Sequence, residues 1–177
     1  WKTKSEIINV IGDAECATLI SETRSCSQTL NFEPVEKLCG LGSQCVDRRF
    51  GALASNYAQF DLAERYKVDL FTGSRANALD RECVLSYVQT FENISFMDEL
   101  KFSSTYPLIY TSYSLFPEVT KEGQDPFFKL HKTQSDIVTK ILQSGYEQNA
   151  RALCNKELPN DCLLVLNFQN NYPSEAP

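Results

Sequence analysis

The stretch Ser43-Gln44-Cys45-Val46-Asp47-Arg48-Arg49-Phe50-Gly51-Ala52-Leu53-Ala54-Ser55-Asn56-Tyr57-Ala58-Gln59-Phe60 decides the fold class. Val46, Phe50, Leu53, Tyr57 and Phe60 recur at i, i+4, i+7, i+11 and i+14, which is one face of an α-helix. Ser43 stands where an N-cap belongs, and Asp47, Arg48, Arg49 and Gln59 fall off the stripe. The spacing predicts an amphipathic helix whose aromatic side chains pack into a core.

Working outward, Pro34 suits the first turn of a short helix ending at Gly40. Upstream, Asp13 is read as the cap of a helix running to about Leu30, with Cys16, Ile20, Thr23 and Leu30 near one face. Downstream, Thr72-Gly73-Ser74 breaks the chain. Asn77 then caps a helix through Phe91 with Leu79, Cys83, Tyr87 and Phe91 on one side. Residues 103 to 116, SSTYPLIYTSYSLF, exchange helical spacing for alternation around Pro107 and predict an edge strand. Asp125-Pro126 starts a helix, and a long helix then carries Ile137, Val138, Ile141, Leu142, Tyr146, Leu153 and Cys154, with Gly145 as its weak point. Leu163 to Phe168 reads as a short buried strand, and the polar residues 169 to 177 as a tail or linker. The sum is a mainly α domain over residues 1 to 168, with four to five helices, a minor β element and disulfide stabilisation.

Composition agrees. The 177 residues are 42% apolar and 11% aromatic, enough to bury a core without help. The net charge of −6, with dispersed Lys and Arg, argues against a phosphate-tracking surface, so no nucleic-acid partner is expected. No stretch approaches the roughly 20 apolar residues of a bilayer span. The chain begins at Trp1 without a basic and apolar leader, which reads as a processed chain with its signal peptide removed or as a trimmed ectodomain.

Seven cysteines stand at 16, 26, 39, 45, 83, 154 and 162. Structural zinc ligands come in pairs two to four residues apart. The spacings Cys39/Cys45 and Cys154/Cys162 are wider, and His131 is the sole histidine, so no metal and no other cofactor are expected. Cysteines at this density in an oxidising compartment form bridges. Cys16, Cys26, Cys39, Cys45, Cys154 and Cys162 are the disulfide candidates, with Cys83 as the odd thiol or a link to a second copy in a homodimer. Connectivity is open, since six partners chosen from seven cysteines allow about 105 pairings. Asn93-Ile94-Ser95 is a glycosylation sequon, compatible with an extracellular or lumenal glycoprotein.

Chemistry is narrowed by elimination. His131 has no Gly-x-Ser-x-Gly elbow to serve as base. Cys39-Gly40-Leu41-Gly42-Ser43-Gln44-Cys45 lacks both the dinucleotide fingerprint and the Gly-Lys-Ser/Thr of a P-loop. What remains is a secreted or ectodomain module without catalytic activity that binds another extracellular or surface protein. Tyr106, Tyr110, Tyr113 and Phe116 are its nominated contact residues, because tyrosine combines apolar area with a hydroxyl. Two alternatives stand behind it: a carrier of a small apolar ligand or lipid, and a hydrolase built on a pair of carboxylates.

Overall fold

Residues 1–26, 37–111 and 125–171 are described by a computed structural model of the chain. Its N-terminal helix α1 spans Lys4–Ile11 and starts at a capping box. The Thr3 hydroxyl accepts from the Glu6 amide at 3.3 Å, and the Glu6 carboxylate accepts from the Thr3 amide at 2.6 Å. Gly12–Cys16 follows as a π-type turn in which Ala14 and Glu15 leave the helical region, and α2 covers only Thr18–Glu22 before Thr23 turns extended. The single helix expected from Asp13 to Leu30 is therefore two short helices and a kink. The Asp13 carboxylate caps nothing here and accepts from the Tyr57 hydroxyl at 2.8 Å. Of the short helix expected from Pro34 to Gly40, residues 34–36 lie outside the described residues, and residues 37–40 are not helical, with Leu38 in a bridge to Tyr66.

Helix α3, Ser43–Leu53, bears out the first part of the deciding stretch and ends about two turns earlier than the stripe predicts. Gly42, not Ser43, is its N-cap. Val46 and Phe50 are completely buried, whereas Tyr57 and Phe60 lie beyond the helix and pack beside Ile8, Ile20 and Ala52. Helix α4, Ala78–Ser95, is capped by Asn77 as expected, but its buried line is Val84, Val88 and Ile94, and Leu79 faces solvent. Helix α7, Pro126–Cys154, starts at the Asp125 cap with Pro126 in its first turn. At 29 residues it is about 43 Å long. The helix runs unbroken through Gly145. A β-carbon there would stand 2.7 Å from the Phe71 ring, so the glycine lets that ring seat against the helix.

Two segments read as strands are helical where they are described, residues 112 to 116 of the first lying outside the described residues. Residues Glu99–Thr105 and Pro107–Thr111 form α5 and α6, with Pro107 at the first helical position, where its missing N–H costs no bond. Residues Leu163–Asn171 form α8, in which Leu163, Leu164 and Asn167 are buried at helical spacing. A run of six apolar-rich residues carries no period of its own, and the neighbouring helices set its conformation. Helix α8 also takes in residues 169 to 171 of the expected tail. Among the described residues no strand forms. The remaining β feature is one parallel bridge between Leu38 and Tyr66, held by the Leu38 amide to the Arg65 carbonyl and the Lys67 amide to the Leu38 carbonyl, both 2.8 Å.

The core lies where α3, α4, α7 and α8 meet. Phe50, Leu70, Val84, Val88, Val138, Leu142, Leu163 and Leu164 fill it. A polar seam ties three of these helices: the Tyr87 hydroxyl donates to Asp47 at 2.8 Å and accepts from Gln134 at 3.0 Å. Helix α1 closes the other side of α3, where Lys4 pairs with Asp47 at 2.6 Å. Among the described residues no helix is long and apolar enough to cross a membrane.

The expected disulfides are not formed. A disulfide needs sulfurs about 2.05 Å apart, and no pair of the seven reaches that distance. Cys154 ends α7 exposed while Cys162 is buried in the core, so these two sequence neighbours are not bridged. Cys16 is exposed at the end of the π-type turn.

Candidate functional site

Three of the first four cysteines converge on one point. Cys26 and Cys39 have their sulfurs 3.4 Å apart, Cys39 and Cys45 are at 3.6 Å, and all three sulfurs lie within 4.8 Å of one another. Each is buried, with Leu38, Tyr66 and Leu41 around them. Cys39 and Cys45 are brought together by the turn Gly40-Leu41-Gly42 and the first residues of α3. That turn requires glycine at 40, which sits at φ +77° and where a β-carbon would meet the Val68 carbonyl oxygen at 2.1 Å. Cys39 is the acceptor of the group. A hydrogen bond from Cys45 holds its thiol down to about 4, against the opposing effect of burial, with help from backbone amides at Gly42 and Leu41 and from Cys26. The Leu41 amide is 3.4 Å from the Cys39 sulfur. The Cys45 thiol is pushed up by the same bond and by burial.

Tyr66 joins this site to a buried ionic cluster. Asp61 is enclosed and accepts from Arg48 at 2.8 Å, Arg49 at 3.0 Å, Arg65 at 3.0 Å and the Tyr66 hydroxyl at 2.9 Å. Arg49 also lies over the Tyr66 ring at 5.0 Å. Burial, ahead of the nearby Asp61 charge, raises the Tyr66 phenol and keeps it a donor. Arg48 and Arg65 extend to Thr23, with Arg65 at 3.2 Å from the Ile20 carbonyl, and so hold the end of α2 against α3. Helical periodicity placed Arg48 and Arg49 off the core stripe, and the structure buries both against Asp61. No signal local to the sequence marks a carboxylate thirteen residues from Arg48 and twelve from Arg49 as their partner.

The other residues singled out from the sequence are dispersed. His131 borders an open groove of about 290 Å³ with Lys2, Lys4, Ile7, Phe91 and Gln134. Its Nδ1 faces the Phe127 carbonyl at 2.8 Å and its ring packs 5.3 Å from Phe102. Those contacts fix the imidazole as a packing element of α7. Tyr106 packs on Phe102 at 5.1 Å, and the Tyr110 hydroxyl donates to the Asp125 carboxylate, while Tyr113 and Phe116 lie outside the described residues. Cys83 is half-buried on α4 with its thiol raised by burial, and Cys162 is raised for the same reason. Asn93 is exposed on the last turn of α4.

The segment just after α4 carries three exposed apolar side chains that sequence reasoning did not single out. Phe96 is 90% exposed, and Leu100 and Leu108 are each 79% exposed. In α5 the side chain of Leu100 lies opposite Phe102, which is fully buried, so the helix spends one face on the core and offers another to water. Asp98 and Glu99 flank these positions. No family model matches the chain, and neither a curated protein nor a solved structure is significantly similar to it.

Proposed function

We propose that this domain is a protein-binding module whose partner docks on the segment from Phe96 to Leu108. The observation that carries this reading is the exposure of Phe96, Leu100 and Leu108 within one short piece of chain. Burying such a side chain contributes about 1.5–3 kcal/mol, so three at one interface supply a hot spot. The acidic residues beside them and the net charge of −6 favour a partner with an apolar patch and a basic rim. Tyr106 and Tyr110, half-buried beside this segment, supply its edge. Secretion, expected from paired cysteines, has no cysteine pair behind it in this structure, so the partner is sought in both intracellular and secreted fractions.

The test uses two baits, the native chain and the Phe96→Ser/Leu100→Ser/Leu108→Ser variant, whose circular dichroism should match because all three side chains are at the surface. Quantitative mass spectrometry of retained proteins should find a partner at least roughly tenfold depleted on the variant, the equivalent of about 1.4 kcal/mol. Identical partner sets on both baits would refute the assignment.

A further inference from the structure

We propose that Cys26, Cys39 and Cys45 are three ligands of one thiophilic d¹⁰ cation, Zn²⁺ or Cu⁺. The geometry is the first reason. A zinc ion about 2.3 Å from each thiolate sets the sulfurs roughly 3.8 Å apart. The observed separations of 3.4 and 3.6 Å reach that arrangement with shifts of a few tenths of an ångström. A disulfide, by contrast, engages two sulfurs at about 2.05 Å and strands the third, here buried, thiol. Cys39 stands almost equally far from both neighbours, which is the disposition of a shared ligand set.

The surroundings are the second reason. All three sulfurs are 5% exposed or less, and Leu38, Leu41 and Tyr66 wall them off, as in a closed structural site. The Leu41 amide points at the Cys39 sulfur, the kind of outer contact that orients a metal-bound thiolate. Charge agrees independently. Three thiolates with Zn²⁺ carry a net −1, and with Cu⁺ a net −2. Across the Tyr66 ring stands the Asp61 cluster, where three arginines and one carboxylate leave +2. One tyrosine thus separates a residual anionic site from a cationic one, and Arg49 lies on its face at 5.0 Å. The sequence obscures this site because Cys26 is thirteen residues from Cys39, so the usual close pairs are absent. A cation here would pin the chain after α2 to the start of α3.

The experiment uses the full chain, reduced and purified without oxygen, with Zn²⁺ alone and Cu⁺ alone as probes. After exhaustive dialysis, elemental analysis and native mass spectrometry should find one cation per chain with at least one of the two metals. Cys39→Ser and Cys45→Ser should each lose it. To separate metal loss from unfolding of the variants, the native chain supplies a second readout: alkylation should spare Cys26, Cys39 and Cys45 in the loaded protein and reach them once a chelator is added. Retention of neither metal overturns the proposal. So does labelling that ignores the chelator, or a stable chain about two mass units lighter with Cys39 bonded to Cys26 or Cys45.

Discussion

Asp61 shows how much one side chain decides. It is enclosed, and three guanidinium groups and a phenol converge on its two oxygens. A buried carboxylate of this kind is costly to remove because its partners stay behind, charged and desolvated. Asp61→Asn preserves the shape and removes the charge, and urea unfolding should register a loss of about 3–5 kcal/mol. A loss below about 1 kcal/mol would mean the arginines find water instead. At this scale the sequence was half legible. Val46 and Phe50 were assigned to the core from spacing alone and are completely buried. Arg48 and Arg49 were read as surface because burial of a charge depends on a partner that periodicity does not encode.

Helix ends were legible where their chemistry is local. Asn77 and Asp125 were named as caps, and each accepts from an amide two residues on, Leu79 and Phe127 at 3.0 and 2.9 Å. The Thr3-Lys4-Ser5-Glu6 capping box has the same kind of signature and starts α1, although it went unread beside Asp13. Thr3→Ala should cost about 1 kcal/mol in thermal or urea unfolding. Glu6 is held below its ordinary value of 4.5, first by the Thr3 amide, so the folded state favours its ionised form. The contribution of the box is then complete above the unfolded value and fades as the pH falls through the lowered one. The difference between native and Thr3→Ala midpoints should shrink in acid, and a difference that is constant with pH would contradict this role. The two segments misread as strands differ in cause. Around Pro107 the alternation is overridden because proline fits the first position of a helix, and α6 packs on α5. From Leu163 to Phe168 six residues are too few to display a period, and packing against α4 and α7 makes the choice.

For the molecule as a whole, mainly helical character followed from the amphipathic stretch at Ser43, and the arrangement of α3, α4, α7 and α8 around one core accounts for it. The cysteines misled at this scale. Their number suggested bridges, whereas their positions in space put three in one buried cluster and leave Cys16 and Cys154 exposed. The candidate site was legible as residue types but not as a constellation, since Cys26 reaches Cys39 and Cys45 only through the fold. In this structure a reduced helical core, without disulfides, holds the chain together. Thermal unfolding followed by circular dichroism, with and without a phosphine reductant, should show cooperative melting of the same helical signal, with midpoints within about 2 °C of each other. A bridge closing the Cys26–Cys39 loop would contribute about 3 kcal/mol, on the order of 10 °C for a chain of this size, and a fall of that magnitude on reduction would contradict the claim.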